Sequence, residues 1–123
     1  MKVSRMELKT QSELIPTARK DGDAVLAAVR GEIDLHNSPD LRAGLLALLT
    51  EAQPKKLILN LSAVPYMDSS AIAVFVESLQ KLRKAGGKLY LTNLQPRVKG
   101  LLEIARLDSI FVLCADENEA MKK

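Results

Sequence analysis

The sequence predicts one α/β domain: a mixed, mostly parallel sheet of four to five strands with about four helices. Three observations carry this. Short apolar runs alternate with stretches of helical spacing from residue 24 onward. Each helical stretch opens on a start signal: Ser38-Pro39, Asp68 or Pro96. Single helices between strands imply right-handed parallel crossovers, so only the opening hairpin should be antiparallel.

In chain order, Met1 to Gln11 is polar and irregular and reads as an arm or an edge segment. Ser12 to Ala18 is expected as a short strand, confined to an edge by Pro16. Asp21-Gly22-Asp23 turns the chain into a second strand, Ala24 to Arg30, which Gly31-Glu32-Ile33-Asp34 ends. Ser38-Pro39-Asp40 combines an N-cap serine, a proline at the first helical position and an acid in the first turn. Leu41, Leu45, Leu48, Leu49 and Ala52 then mark one apolar face, and Pro54 stops the helix. Leu57 to Leu61 is a strand of the kind found inside a sheet.

The helix after Asp68 carries Ile72, Phe75, Val76, Leu79 and Leu82 inward and stops at Gly86-Gly87. Lys88 to Thr92 is a strand. Pro96 opens a helix with Val98, Leu101, Leu102 and Ala105 inward. Ile110 to Leu113 is a last strand, and Glu117 to Lys122 a final helical turn.

Composition narrows the function. Hydrophobic residues are 47% and charged residues 27% of the 123, the balance of an ordinary globular domain. No apolar run approaches the ~20 residues of a membrane span, and the N-terminus is too polar for a signal peptide. Cys114 is the only cysteine and His36 the only histidine, so no Cys/His zinc site can be assembled. His36, beside Asn37 and Ser38, reads as a loop residue, and Cys114 as a small core residue. A cytoplasmic protein without a cofactor is expected. The net charge of +3 is local in origin: Lys81, Arg83, Lys84, Lys88, Arg97, Lys99 and Arg106 face only Glu103 in that stretch. With two tyrosines and two phenylalanines in the chain, stacking platforms for nucleic acid are scarce. An acidic protein partner suits this basic stretch better.

Two motifs carry the chemistry. In Tyr66-Met67-Asp68-Ser69-Ser70, hydroxyls fall on the first turn of a helix, among unpaired N–H groups at the positive end of its dipole. Such hydroxyls cap the helix or hold a phosphate, and the local sequence leaves both open. Gly31-Glu32-Ile33-Asp34-Leu35 reads locally as a strand end with charged residues toward solvent. Asp34, Asp40 and Asp68 could converge in space, but no catalytic carboxylate pair is evident, and Gly86-Gly87 lacks the rest of a nucleotide fingerprint.

Together the two motifs, about 35 residues apart with a helix and a strand between them, resemble the STAS domain. More narrowly, they resemble the anti-sigma factor antagonists of bacterial partner-switching systems. The resemblance covers roughly residues 12 to 120, making residues 1–11 an N-terminal arm and 12–123 the STAS domain. It implies a regulatory binding module and not an enzyme. Such an antagonist binds an anti-sigma factor that is also a serine kinase, is released when phosphorylated, and is restored by a serine phosphatase. By position, the phosphorylated residue is Ser70, and Asp34, Asp68, Ser69, Ser70 and Ala71 form the partner-binding set. Ala71 departs from the family, where many members have glycine; alanine favours the helix and adds one methyl. A small α/β domain without an extended exposed apolar run is expected to be a monomer when free, and the composition predicts no direct nucleic-acid binding and no membrane insertion. The other reading of the same fold is a constitutive STAS subunit of a lipid or anion transporter.

Overall fold

The computed structural model describes residues 5–123. A six-stranded sheet runs in the order β1-β2-β3-β4-β5-β6. The strands are β1 (Arg5–Glu7), β2 (Thr17–Asp21), β3 (Ala24–Arg30), β4 (Lys56–Ala63), β5 (Lys88–Thr92) and β6 (Val112–Cys114). β1, β2 and β3 pair antiparallel, and β3 through β6 pair parallel. The helices are α1 (Ser38–Ala52), α2 (Ser69–Lys84), α3 (Pro96–Ile104) and α4 (Glu117–Lys122). The α/β class and the mostly parallel sheet agree with the sequence.

Successive parallel strands are laid down side by side, and crossovers of one hand place α1, α2 and α3 on the same face. Burial follows the period-two alternation of the strands. Val25, Ala27 and Val29 of β3, Leu57, Leu59 and Leu61 of β4, and Leu89 and Leu91 of β5 share one core with the three helices. Phe75 of α2 sits fully buried within it, edge-on to Phe111 with ring centroids 6.5 Å apart. The opposite face buries Ala24, Leu26, Ile58, Tyr90 and Cys114 beneath α4, whose Ala120 is fully buried. Lys56 Nζ secures that helix, donating to the carbonyls of Ala120 at 2.9 Å and Met121 at 3.2 Å over the Tyr90 ring.

Of the segment read as an arm or an edge segment, Arg5–Glu7 pair with β2 as the edge strand β1, so the sheet has six strands and not four to five, while residues 1–4 lie outside the described residues. Three expectations change. The hairpin strand begins at Thr17 and not at Ser12. Residues 12–15 instead form a turn, with Ser12 Oγ accepting from Leu14 N–H and Ile15 N–H donating to Ser12 O at 3.0 Å. Ile15 is thereby buried against Gly44 of α1, where a Cβ would come within 2.9 Å of it. The N-cap of α1 is Asn37, with Ser38 inside the helix, a one-residue shift set by the preceding loop. The last strand is Val112–Cys114, not Ile110 to Leu113, as Ile110 N–H closes a turn onto Leu107 O.

Candidate functional site

The site forms where β3 and β4 end. Gly31 takes φ +87°, a left-handed conformation that frees the chain from the sheet, while its N–H donates to Ala63 O at 2.9 Å. Two residues later the loop rejoins its neighbour. Ile33 N–H donates to Tyr66 O at 3.1 Å and Asp68 N–H donates to Ile33 O at 3.0 Å, forming a parallel bridge between Ile33 and Met67. Both bridge side chains are buried in the main core, which fixes the two loops against each other. The two sequence motifs thus become one surface.

Asp34 organises the first loop. Its Oδ1 accepts from His36 N–H at 2.9 Å and Asn37 N–H at 3.2 Å, and its own N–H donates to Asn37 Oδ1 at 2.9 Å. Asn37 Nδ2 donates to Glu32 O at 2.9 Å, so the Asn37 side chain closes the loop and does not cap α1. Asp68 organises the second. It is the N-cap of α2, and its Oδ1 accepts from Ser70 N–H at 2.8 Å and from the Ser70 hydroxyl at 2.5 Å. The Ser70 hydroxyl holds the Asp68 carboxyl below the usual carboxylate range, against an opposing push from burial. The amides of Ser70, Leu35 and Ala71 contribute in the same direction, so a residue of the first loop helps hold the carboxylate of the second.

Asp34 and Ser69 are exposed and Asp68 and Ser70 half-buried; Asp34 lies on the first loop, Asp68 ends the second, and Ser69 and Ser70 open α2 beside them. Ala71 does not reach this surface: it is fully buried in the main core, and its methyl faces inward. The Asp40 carboxylate is engaged elsewhere, accepting from the Ser12 hydroxyl at 2.6 Å. Three residues with no role assigned from sequence also border the site. Leu35 is 77% exposed despite its fixed backbone, and Tyr66 is 38% exposed with the Arg97 guanidinium 4.8 Å from its ring centroid. A large apolar residue in a polar loop was the available signal for Leu35; the Arg97 contact requires α3 to be in place. Among the described residues no cluster of three His, Cys, Asp or Glu side chains could hold a metal, and no helix is long and apolar enough to cross a membrane.

The STAS domain family model matches residues 16–120. The anti-sigma-B factor antagonist of Bacillus subtilis is 36% identical over 87 residues, covering 71% of this chain and 78% of that protein. An anti-sigma factor antagonist from Mycobacterium paratuberculosis superposes with a TM-score of 0.77 at 23% identity, over 97% of this chain and 92% of that one. The Bacillus cell fate determinant SpoIIAA in its phosphorylated form superposes with a TM-score of 0.62 at 23% identity, over 81% and 89% of the two chains.

Proposed function

The chain belongs to the STAS domain family, within its anti-sigma factor antagonists, and we propose that it is a phosphorylation switch acting through Ser70. Unphosphorylated, it binds an anti-sigma factor that is also a serine kinase; phosphorylated on Ser70, it is released, and a serine phosphatase resets it. The family is one of regulatory binding modules, so the chemistry of phosphoryl transfer belongs to the partner. Both events take place in the cytoplasm.

One observation carries the reading. The capping of α2 is done by Asp68, not by either serine, so the Ser70 hydroxyl is not needed to start the helix. It lies on the first turn with its proton directed to the Asp68 carboxylate, which leaves oxygen lone pairs free for an incoming phosphorus. In the transfer, Ser70 Oγ bonds to the γ-phosphorus of ATP, ADP leaves, and the hydroxyl proton passes to a base of the kinase. Asp68 positions the hydroxyl. Asp34, Asp68 and Ser69 are the chain's own contribution to the contact surface.

The same geometry supplies a reason for release. A phosphoserine has no hydroxyl proton to give Asp68 and adds roughly −1.5 to −2 of charge beside it. The helix N-terminus tolerates that charge, with about 0.3–1 kcal/mol of dipole stabilisation. The fold therefore persists while the contact surface becomes repulsive and costly to desolvate. That SpoIIAA has been solved phosphorylated supports the same tolerance here.

The test is affinity capture from the source organism with wild-type, Ser70→Ala and Ser70→Asp baits, read by mass spectrometry. A kinase-like ATP-binding protein held by wild type and Ser70→Ala but lost from Ser70→Asp is expected. The same membrane-transporter subunits held by all three would overturn the switch and return the domain to a constitutive role.

A further inference from the structure

The basic stretch from Lys81 to Arg106 does not fold into one face. Arg97 lies near the start of α3, at the Ser70 end of the molecule, where it stacks on Tyr66. Lys81, Arg83 and Lys84 occupy the last turn of α2, and Lys88 opens β5 at the opposite end. Lys55, from the connection after α1, joins this second group, its Nζ donating to Ala85 O. Between the C-terminal ends of α1 and α2 lies a groove of about 550 Å³, lined by Lys55, Lys81 and Lys84 and by no carboxylate. Leu49, Pro54 and Leu82 line it as well and are buried, while Lys55, Lys81 and Lys84 are exposed.

We propose that this groove docks an acidic, leucine-bearing segment of a partner protein. Helix C-termini present carbonyls and partial negative charge, which would repel such a segment. At the end of α2 that charge is countered: three basic side chains stand on its last turn, and Lys55 occupies the Ala85 carbonyl, while the last turn of α1 carries no basic residue. What remains is a cationic rim over apolar side chains, complementary to a carboxylate-rich strand with one apolar residue pointing down. A bilayer is flat and does not reach Leu49 and Leu82, and none of the exposed large apolar residues (Met6, Leu35, Tyr66, Ile104) lines the groove to insert into lipid. No aromatic side chain lines it to stack on a nucleic-acid base.

The groove is separated from the phosphorylation site. Along α2 the groove's Lys81 and Lys84 stand ~16 to ~21 Å from Ser70 at the helical rise per residue, against a Debye length of about 8 Å at physiological salt. A charge placed at Ser70 is screened from the groove, and both surfaces can be occupied at once.

The test titrates the full ¹⁵N-labelled chain with two synthetic peptides and follows amide shifts. One is a glutamate-rich peptide with a central leucine pair; in the other, serines replace the leucines. The leucine peptide is expected to shift the amides of Leu49, Gln53, Leu82 and Ala85 saturably, and the serine peptide to bind several-fold more weakly. Affinity should fall roughly tenfold in a Lys81→Glu/Lys84→Glu variant, as for removal of complementary charge, and stay unchanged in Ser70→Asp. Lys84→Ala serves as a milder variant and should show the same direction. Shifts centred on α3 or on residues 31–35, equal binding of both peptides, or no saturable shift would each overturn the proposal. So would vesicles of phosphatidylcholine with phosphatidylserine that bind wild type but not the double variant, which would make this a membrane contact.

Discussion

The two ends of α2 are built on opposite terms. The N-terminal end is held by polar groups: Asp68 caps the helix, receives the Ser70 hydroxyl, and is tied through the Ile33–Met67 bridge to the loop carrying Asp34. The C-terminal end is held by close backbone packing. A Cβ on Gly87 would stand 2.8 Å from Lys55 O, and Gly87 N–H donates to Leu82 O at 2.7 Å. The polar end leaves hydroxyl and carboxylate groups half-exposed, where a change of charge acts directly on a partner. At the packed end Lys55 holds the Ala85 carbonyl and Lys81 lies near Glu77, while Lys81 and Lys84 stay exposed and can serve recognition. A helix can therefore be switchable at one terminus and constitutive at the other.

Phe75, buried in the middle of α2, supports both ends at once. Phe75→Ala is expected to lower stability by about 3–5 kcal/mol in urea denaturation, and to loosen both termini together. If hydrogen exchange showed only one end loosened, the two ends would not share a common support. Gly87→Ala is expected to destabilise by about 1–3 kcal/mol, since the opposing atom is backbone and cannot rotate away. Its amide shift changes should be confined to the connection at residues 85–88 and to Lys55, leaving Ser70 undisturbed.

Asp68→Asn tests the polar end through pH. The folded Asp68 carboxyl ionises below its ordinary value, so its stabilisation is present above the unfolded pKa and is lost as pH falls through the folded pKa. Thermal melts of wild type should decline more steeply than those of Asp68→Asn below about pH 4, with little difference in slope at neutral pH. Equal slopes would mean that Asp68 gains nothing by ionising in the fold. The smallest effect is expected from Arg42→Ala. Arg42 meets Glu77 in a two-point contact of 2.6 and 2.7 Å between α1 and α2, but at the surface. Its removal should be barely measurable and should vanish in high salt.

The sequence made much of this legible because the signals were local. Pro54 and Gly86 stand just beyond the ends of α1 and α2, and the apolar spacing names their buried leucines, Ile72 and Phe75, while Ala52 and Val76 are only partly buried and the buried Ala71 and Val74 went unnamed. The misread segments had competing local and tertiary preferences. Ser12 to Ala18 looks like an edge strand, yet only Thr17 and Ala18 join β2, and the space left beside Gly44 bends residues 12–15 into a turn that buries Ile15. Ser38 is a good cap, but the Asn37–Glu32 closure moves the helix start back by a residue.

The sequence by itself determined the class of fold, the position of Ser70 on the first turn of a helix, and the pairing of two motifs that marks the family. These depend on periodicity, on capping preferences and on residue order, all of which are written along the chain. Tertiary structure alone decided which groups share a surface. It turned Ala71 into the core and set Leu35 beside Asp68. It also divided the run of cations between two ends and brought Lys55 to one of them. The reason is geometric: a parallel sheet brings consecutive strand ends to one edge and sends each helix back to the other, so neighbours in space are a crossover apart in sequence.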